Sequence, residues 1–433
     1  RMPMNATVEQ ILEYVNTLEI IDTHEHLPCS ETVWLQEYQD NGGDVFKEYL
    51  KHYFPSDLVS AGLPERELNT IMTSDLPVPD KWARLKSYWE VARYTGYGRA
   101  LDIAVRGIYG IEGINRDTIE EVNAAFWGSL KPGHFRYVLK ELCQIKTSLL
   151  DSLEGSLDSD PEFFNNVFRM DPFIMPKSLE EIHALERLTG IRITSFDAWC
   201  ECCRATLEAV LKKGVVALKC ALAYRRSLQF DRPTRAVAEA EFTEFLAGIY
   251  RSRKHPQIPL MGHNCQNYMM HYILGLANQR QLAYQFHTGL QEGNGNHIAH
   301  SDPTLLSNLF LDYPDVRFDL FHISYPFQQQ LSALAKVFPN VFIDMCWAHI
   351  ISPQASIAAL TEWLDAVPFN KINAFGGDYL FVDGVYGHQY LARENVSKAL
   401  ALKVEDGVFD LDQAKEIARC LFYDNPARLF TLD

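Results

Sequence analysis

Two histidines stand two residues apart in Ile20-Ile21-Asp22-Thr23-His24-Glu25-His26, at the end of a short apolar run. On an extended chain, residues i and i+2 share a face, so both imidazoles point to one side and can share a metal ion. A lone pair of this kind arises often by chance and gains weight only from its companions. Those follow in Gln285-Phe286-His287-Thr288-Gly289, Leu320-Phe321-His322 and Phe375-Gly376-Gly377-Asp378-Tyr379, each placing a histidine or aspartate directly after a hydrophobic stretch. His24, His26, His287 and Asp378 together supply nitrogen and oxygen ligands suited to a divalent cation, zinc first, with manganese or iron as alternatives. Such a cation would acidify a water and polarise a substrate carbonyl, with Asp378 as general base. His322 suits a catalytic acid or electrophile touching the substrate, and a metal ligand is its other reading.

Lys219 lies in Val215-Val216-Ala217-Leu218-Lys219-Cys220. Burying a charged lysine among such neighbours is costly, so it needs a counter-ion, a depressed pKa or a covalent modification. It is expected to act in the site by binding an anionic substrate or, carbamylated, by giving an oxygen ligand to a second metal. Tyr224, Arg225 or Arg226 just beyond it, and Arg169 in Val167-Phe168-Arg169-Met170, can bind a substrate carboxylate, the arginines bidentately. Trp347 would wall the metal on one side. His297 and His300 fall in a polar loop that could close over the site, whereas His263, His271, His349 and His388 read as structural.

The elements that must carry these residues are short β-rich runs, most followed by segments of helical periodicity: Leu18 to Asp22, Ile145 to Asp151, Val167 to Phe173, Val215 to Leu222, Leu282 to His287, Val316 to His322, Val341 to Cys346 and Ile372 to Gly376. Eight such units predict an α/β protein, a (β/α)8 TIM-type barrel whose catalytic groups lie at the carboxyl ends of the strands. A bare barrel needs roughly 250 residues, which leaves about 180 of this chain for extensions. The largest excess is residues 29–143, mainly helical in spacing and rich in aromatics such as Trp34, Tyr38, Tyr53, Trp82 and Trp89. It follows the first strand and so reads as a cap over the barrel mouth, or as dimer surface and core filling, within a single domain spanning 1–433.

The 433 residues carry 40 Lys+Arg against 56 Asp+Glu, a formal net charge of −16, with no basic face to hold nucleic acid. No apolar run reaches the roughly eighteen residues of a membrane span, and Arg1 to Leu18 lacks a signal-peptide pattern. These features predict a cytoplasmic protein; Lys219 and the arginines point to a small, anionic substrate, and a homo-oligomer is expected. Nine scattered cysteines fit reduced thiols, and the cluster Cys200, Cys202, Cys203 lacks the second pair of a structural zinc site.

With HxH at the first strand, histidines at the fifth and sixth and aspartate at the eighth, the chain resembles the amidohydrolase superfamily. Val216 to Leu228, reading VALKCALAYRRSL, is similar to the lysine-bearing fourth-strand segment of the amidohydrolase-related family, as found in nodulin-like proteins with a glutamine-synthetase-like domain. Gln285 to Gly289, Asp302-Pro303, His322 to Pro326 and Asn425 to Phe430 fit the same pattern, and uronate isomerase is a more distant relative. The resemblance covers residues 18–28 and 144–433. It implies His24, His26, His287 and Asp378 as metal ligands, with His322 and Lys219 in the active site. The implied activity is a metal-dependent hydrolase cleaving an amide, lactone or related carbonyl bond. The alternatives are a decarboxylase or sugar-acid isomerase of the same superfamily, or an inactive barrel serving as a binding scaffold.

Overall fold

The computed structural model describes residues 5–251 and 258–432, so Arg1 to Met4, the start of the stretch read for a targeting signal, lie outside the described residues. Eight strands pair in chain order: β1 (Ile20–Glu25), β2 (Ile145–Leu150), β3 (Phe164–Arg169), β4 (Ala217–Cys220), β5 (Ala283–Phe286), β6 (Arg317–Leu320), β7 (Val341–Asp344) and β8 (Ile372–Asn373). Every pairing is parallel. Such strands are buried on both faces, and β1, β4 and β5 are buried at every position, so the polar side chains they carry, Asp22 to Glu25, Lys219 and Gln285, are enclosed with them.

The barrel closes between β1 and the segment after β8: Thr23 N–H donates to Phe375 O, Asp378 N–H to His24 O and His26 N–H to Tyr379 O, at 3.0, 2.8 and 3.1 Å. Asp22 braces this seam from within, its carboxylate accepting from the backbone N–H of His24 and Gly377 and from the Ser148 hydroxyl. Burial raises the Asp22 pKa to about 6. The glycine pair is a steric requirement of the seam. A Cβ on Gly376 would stand 2.6 Å from Thr23 Oγ1, and one on Gly377 would stand 1.7 Å from Glu25 Oε1.

The eight expected runs all carry strands, and two are shifted: the first was expected at Leu18 to Asp22, but β1 starts at Ile20 and continues through His24 to Glu25. Val167 to Phe173 was the expected third run, but β3 begins at Phe164 and Asp171–Phe173 is a 3-10 turn. The polar pair Asn165-Asn166 conceals the start of the strand, whereas Pro172 cannot donate to a ladder.

Seven α-helices and a π-helical segment fill residues 29–143 between β1 and β2. Trp34, Tyr38, Phe46, Tyr49, Trp82 and Trp89 are buried and form the interior of this region, while Tyr94 is 77% exposed. It docks on the long helix Val382–Glu405, where a Cβ on Gly387 would meet Ala100 O at 2.0 Å. Asp383 on that helix accepts hydrogen bonds from Tyr49 and Tyr109, both at 2.7 Å, and pairs with His134 at 2.8 Å. A buried carboxylate with three partners is the satisfied arrangement such a junction needs.

Cys200, Cys202 and Cys203 lie buried on the helix Phe196–Lys212, and all nine cysteines are free thiols. Among the described residues no helix is long and apolar enough to cross a membrane.

Candidate metal centre at the barrel mouth

The ends of the strands bring the chemistry-bearing residues together because their register places them on one level. Arg169 stands opposite Lys219, Lys219 opposite Gln285, and Gln285 opposite Asp319, while His287, His322 and Asp378 follow their strands by one to five residues. His24 is fully buried, with Nε2 at 3.6 Å from Asp378 Oδ1 and 3.6 Å from Asp151 Oδ2. His26 Nε2 lies 3.2 Å from the same Asp378 oxygen. On the other side His322 Nε2 lies 2.9 Å from His287 Nδ1 and 3.9 Å from Asp378 Oδ2.

The other ring nitrogens settle which atoms face inward. A carbonyl oxygen only accepts, so His26 donates from Nδ1 to Asp151 O (2.8 Å), His322 from Nδ1 to Cys346 O (2.9 Å) and His287 from Nε2 to Leu290 O (2.8 Å). With those protons placed, neutral rings turn bare lone pairs toward one another and toward Asp378. Burial favours neutral rings: it pushes His287 well below its ordinary pKa and His322 down to about 4. Convergent nitrogen lone pairs beside a carboxylate, each ring anchored through its far nitrogen, are the donor set a divalent cation takes. The residues therefore fit the metal that the sequence suggests. Ligand atoms gather most tightly in two groups, each within 4.8 Å: His24, His26 and Asp151, and His322, Cys346 and Asp378.

Lys219 is buried, its Nζ 3.5 Å from His24 Nε2 and 3.8 Å from the centroid of the Phe321 ring. Burial lowers its pKa, opposed by the charges of Asp151 and Asp378. Arg169 is committed to Asp151: its Nε and Nη2 hold the carboxylate at 2.7 to 3.0 Å. Burial works against the Asp151 carboxylate, yet that guanidinium keeps its pKa below the ordinary value. Trp347 is buried edge-on to His322, with ring centroids 5.0 Å apart. Tyr224 packs at 4.6 Å from the His287 ring, and its hydroxyl accepts from Glu292 N–H. Arg225 is exposed and bonded to Met175 O outside the chamber. Arg226 is held away by Gln266 and Asn267.

Sequence reasoning did not single out Asp151, Cys346, His52, Tyr53 or Glu292. Asp151 and Cys346 end apolar runs, the same signal that marked His287 and His322. His52 and Tyr53 come from the helical region, where nothing separates them from core aromatics. Tyr53 O–H donates to Asp378 O at 2.5 Å and its ring stacks on Trp347 at 4.7 Å. These side chains enclose a chamber of about 240 Å³ lined by His26, His52, Arg169, Lys219, Glu292 and Asp378, among others.

A parallel eight-stranded barrel with imidazoles and carboxylates gathered at the carboxyl ends of its strands is the fold of a metal-dependent enzyme that acts on a small molecule. The amidohydrolase family model matches residues 158–432, and the chain belongs to that family within the amidohydrolase superfamily. Protein fluG of Emericella nidulans is 25% identical over 236 residues, 52% of this chain but 27% of that protein, so the chain matches about a quarter of that relative's length. Uronate isomerase of Thermotoga maritima has a similar structure, with a TM-score of 0.77 at 16% identity covering 99% of this chain and 98% of that one. Glucuronate isomerase of Caulobacter crescentus gives 0.73 at 18% identity over 99% and 94%.

Proposed function

We propose that this barrel is a metal-dependent hydrolase that cleaves an amide, lactone or related carbonyl bond of a small carboxylated substrate. The observation that carries the reading is one carboxylate, Asp378, within 3.2 to 3.9 Å of three imidazoles, His24, His26 and His322, of which His26 and His322 are tied through their far nitrogens to backbone carbonyls. His24, His26, His287 and Asp378 would hold the cation, with Asp151 and Cys346 near enough to join them. A bound divalent cation supplies Lewis acidity, polarising a carbonyl and easing deprotonation of water. Asp378 takes the proton of the attacking water and returns it to the leaving group. Lys219, with Arg169 at the chamber wall, provides positive charge for an anionic group on the substrate, and His322, whose inward Nε2 is bare, would join the ligands of the cation. Zinc is the metal expected from the nitrogen-rich donor set.

A second reading, sugar-acid isomerisation, draws support from the extent of the fold likeness. It spans 99% of this chain and so includes residues 29–143 as well as the barrel. Product analysis separates the two. Metal-loaded protein incubated with carboxylated amides and lactones in oxygen-18 water is expected to place the label in the released acid. Deuterium uptake at carbon from a uronate in deuterated water, without oxygen label, would replace hydrolysis by isomerisation.

A further inference from the structure

The reaction chamber is not the largest cavity at this end of the barrel. A cleft of about 720 Å³ lies beside it and shares Leu153, Arg169, Ala221 and Tyr224 with it, so the two adjoin along those residues. Their linings differ in kind. The inner chamber presents Lys51, His52, Lys219, Glu292 and Asp378. The outer cleft is walled by Leu153, Met175, Ala184, Leu185 and Leu188. Three of its apolar or aromatic side chains are open to solvent: Leu153 is 60% exposed, Tyr224 42% and Leu188 37%. Grouped exposed apolar side chains around a concave surface mark a place where an apolar body is received. With Arg169 paired to Asp151, the remaining charged lining is Glu154, Asp171, Glu180 and Glu181 against Lys177 and Arg225, an acidic excess that disfavours a second anionic group there.

From this adjacency, and resting on the function proposed above, we infer that the substrate is two-part: a small anionic head in the metal chamber joined to an uncharged apolar or aromatic tail in the outer cleft. Arg169 lines both cavities, its Nε and Nη2 fixed by Asp151, and the linkage between head and tail passes over it. A free sugar acid is polar on all sides and leaves the leucine-lined cleft unfilled.

The test compares three probes by calorimetry on metal-loaded protein: propionate, 6-phenylhexanoate and 6-aminohexanoate. The phenyl probe is expected to bind at least about tenfold more tightly than propionate, and the amino probe to show no such gain. Leu188→Glu and Leu153→Glu, on separate walls and at exposed positions, are each expected to abolish the gain. Equal affinity for propionate and 6-phenylhexanoate, or a gain that survives both substitutions, overturns the inference, while metal-dependent propionate binding leaves the proposed function standing. Leu188-dependent binding of the phenyl probe without any propionate binding supports the cleft and counts against the reaction chamber.

Discussion

The carboxyl rim of the barrel and the helical region at residues 29–143 are built to different tolerances. At the rim, five non-glycine residues hold positive φ: His322, Ile323, Ser324, Trp347 and Asp378, between 48° and 66°. In residues 29–143 one does, Tyr53 at 57°, and it is the residue that donates to Asp378 O. Each such conformation costs about 1–3 kcal/mol and persists only where its surroundings over-determine it. Gln144, Gln281 and Thr431 also hold positive φ away from the rim, so the contrast is between these two regions: the rim concentrates such conformations, and the helical region adopts one only where it touches the site. Elsewhere in that region ordinary caps and aromatic packing suffice.

If that contrast is right, substitutions at the rim should damage chemistry more than folding. Asp378→Asn is expected to lower turnover by about 10³-fold, within the range of a lost general base, with the circular dichroism of the native protein unchanged. Activity within tenfold of wild type would remove Asp378 from the proton-transfer role. His24→Ala is expected to reduce the metal content, read by elemental analysis, well below that of the wild type. The drop in melting temperature that a chelator causes in the wild type should then shrink, because a cation bound only to the native state stabilises it by mass action. Undiminished metal in this variant would break the proposed ligand set.

Gly377→Ala tests the rim from its backbone. The new Cβ would stand 1.7 Å from Glu25 Oε1, against a carboxyl that burial pushes well above its ordinary pKa and whose Oε2 accepts from Tyr379 N–H. The expected loss is about 2 kcal/mol by denaturant titration, in the range for overpacking a tight interior. Gly110→Ala is the control in the helical region. Gly110 has φ of 72° and ψ of 18° with nothing near its would-be Cβ, so only the left-handed conformational cost of about 1 kcal/mol applies. Equal losses at the two positions would erase the distinction between rim and insert.

The barrel and most of its rim were legible because a buried parallel strand reads as an apolar run and a polar residue just after it stands at the carboxyl end. His287, His322 and Asp378 were found in that way, and Asp151 carried the same mark but looked like a mere boundary. Charge alone was not legible. Arg169, Arg225 and Arg226 look alike in sequence, yet one braces Asp151, one is exposed outside the chamber and one is bonded to Gln266 and Asn267. The partner decides an arginine's role, and partners 40 residues away leave no local pattern. The same holds for His52 and Tyr53, whose place beside Asp378 comes from how the helices dock on Val382–Glu405.

The smallest expected effect sharpens the comparison most. Tyr53→Phe keeps the ring that stacks on Trp347 at 4.7 Å and on Tyr97 at 5.3 Å, and removes only the hydroxyl that serves Asp378 O. Loss of one buried hydrogen bond should cost about 1 kcal/mol of stability. If that bond holds Asp378 in its left-handed backbone conformation, turnover should fall about tenfold with KM little changed, because the carboxylate would be less well placed for proton transfer. The split between kcat and KM is the measurement that matters, since a merely structural contact would lower melting temperature and leave both constants alone. In that event the helical region covers the site without taking part in it, and the positive φ at Tyr53 belongs to chain routing rather than to the chemistry.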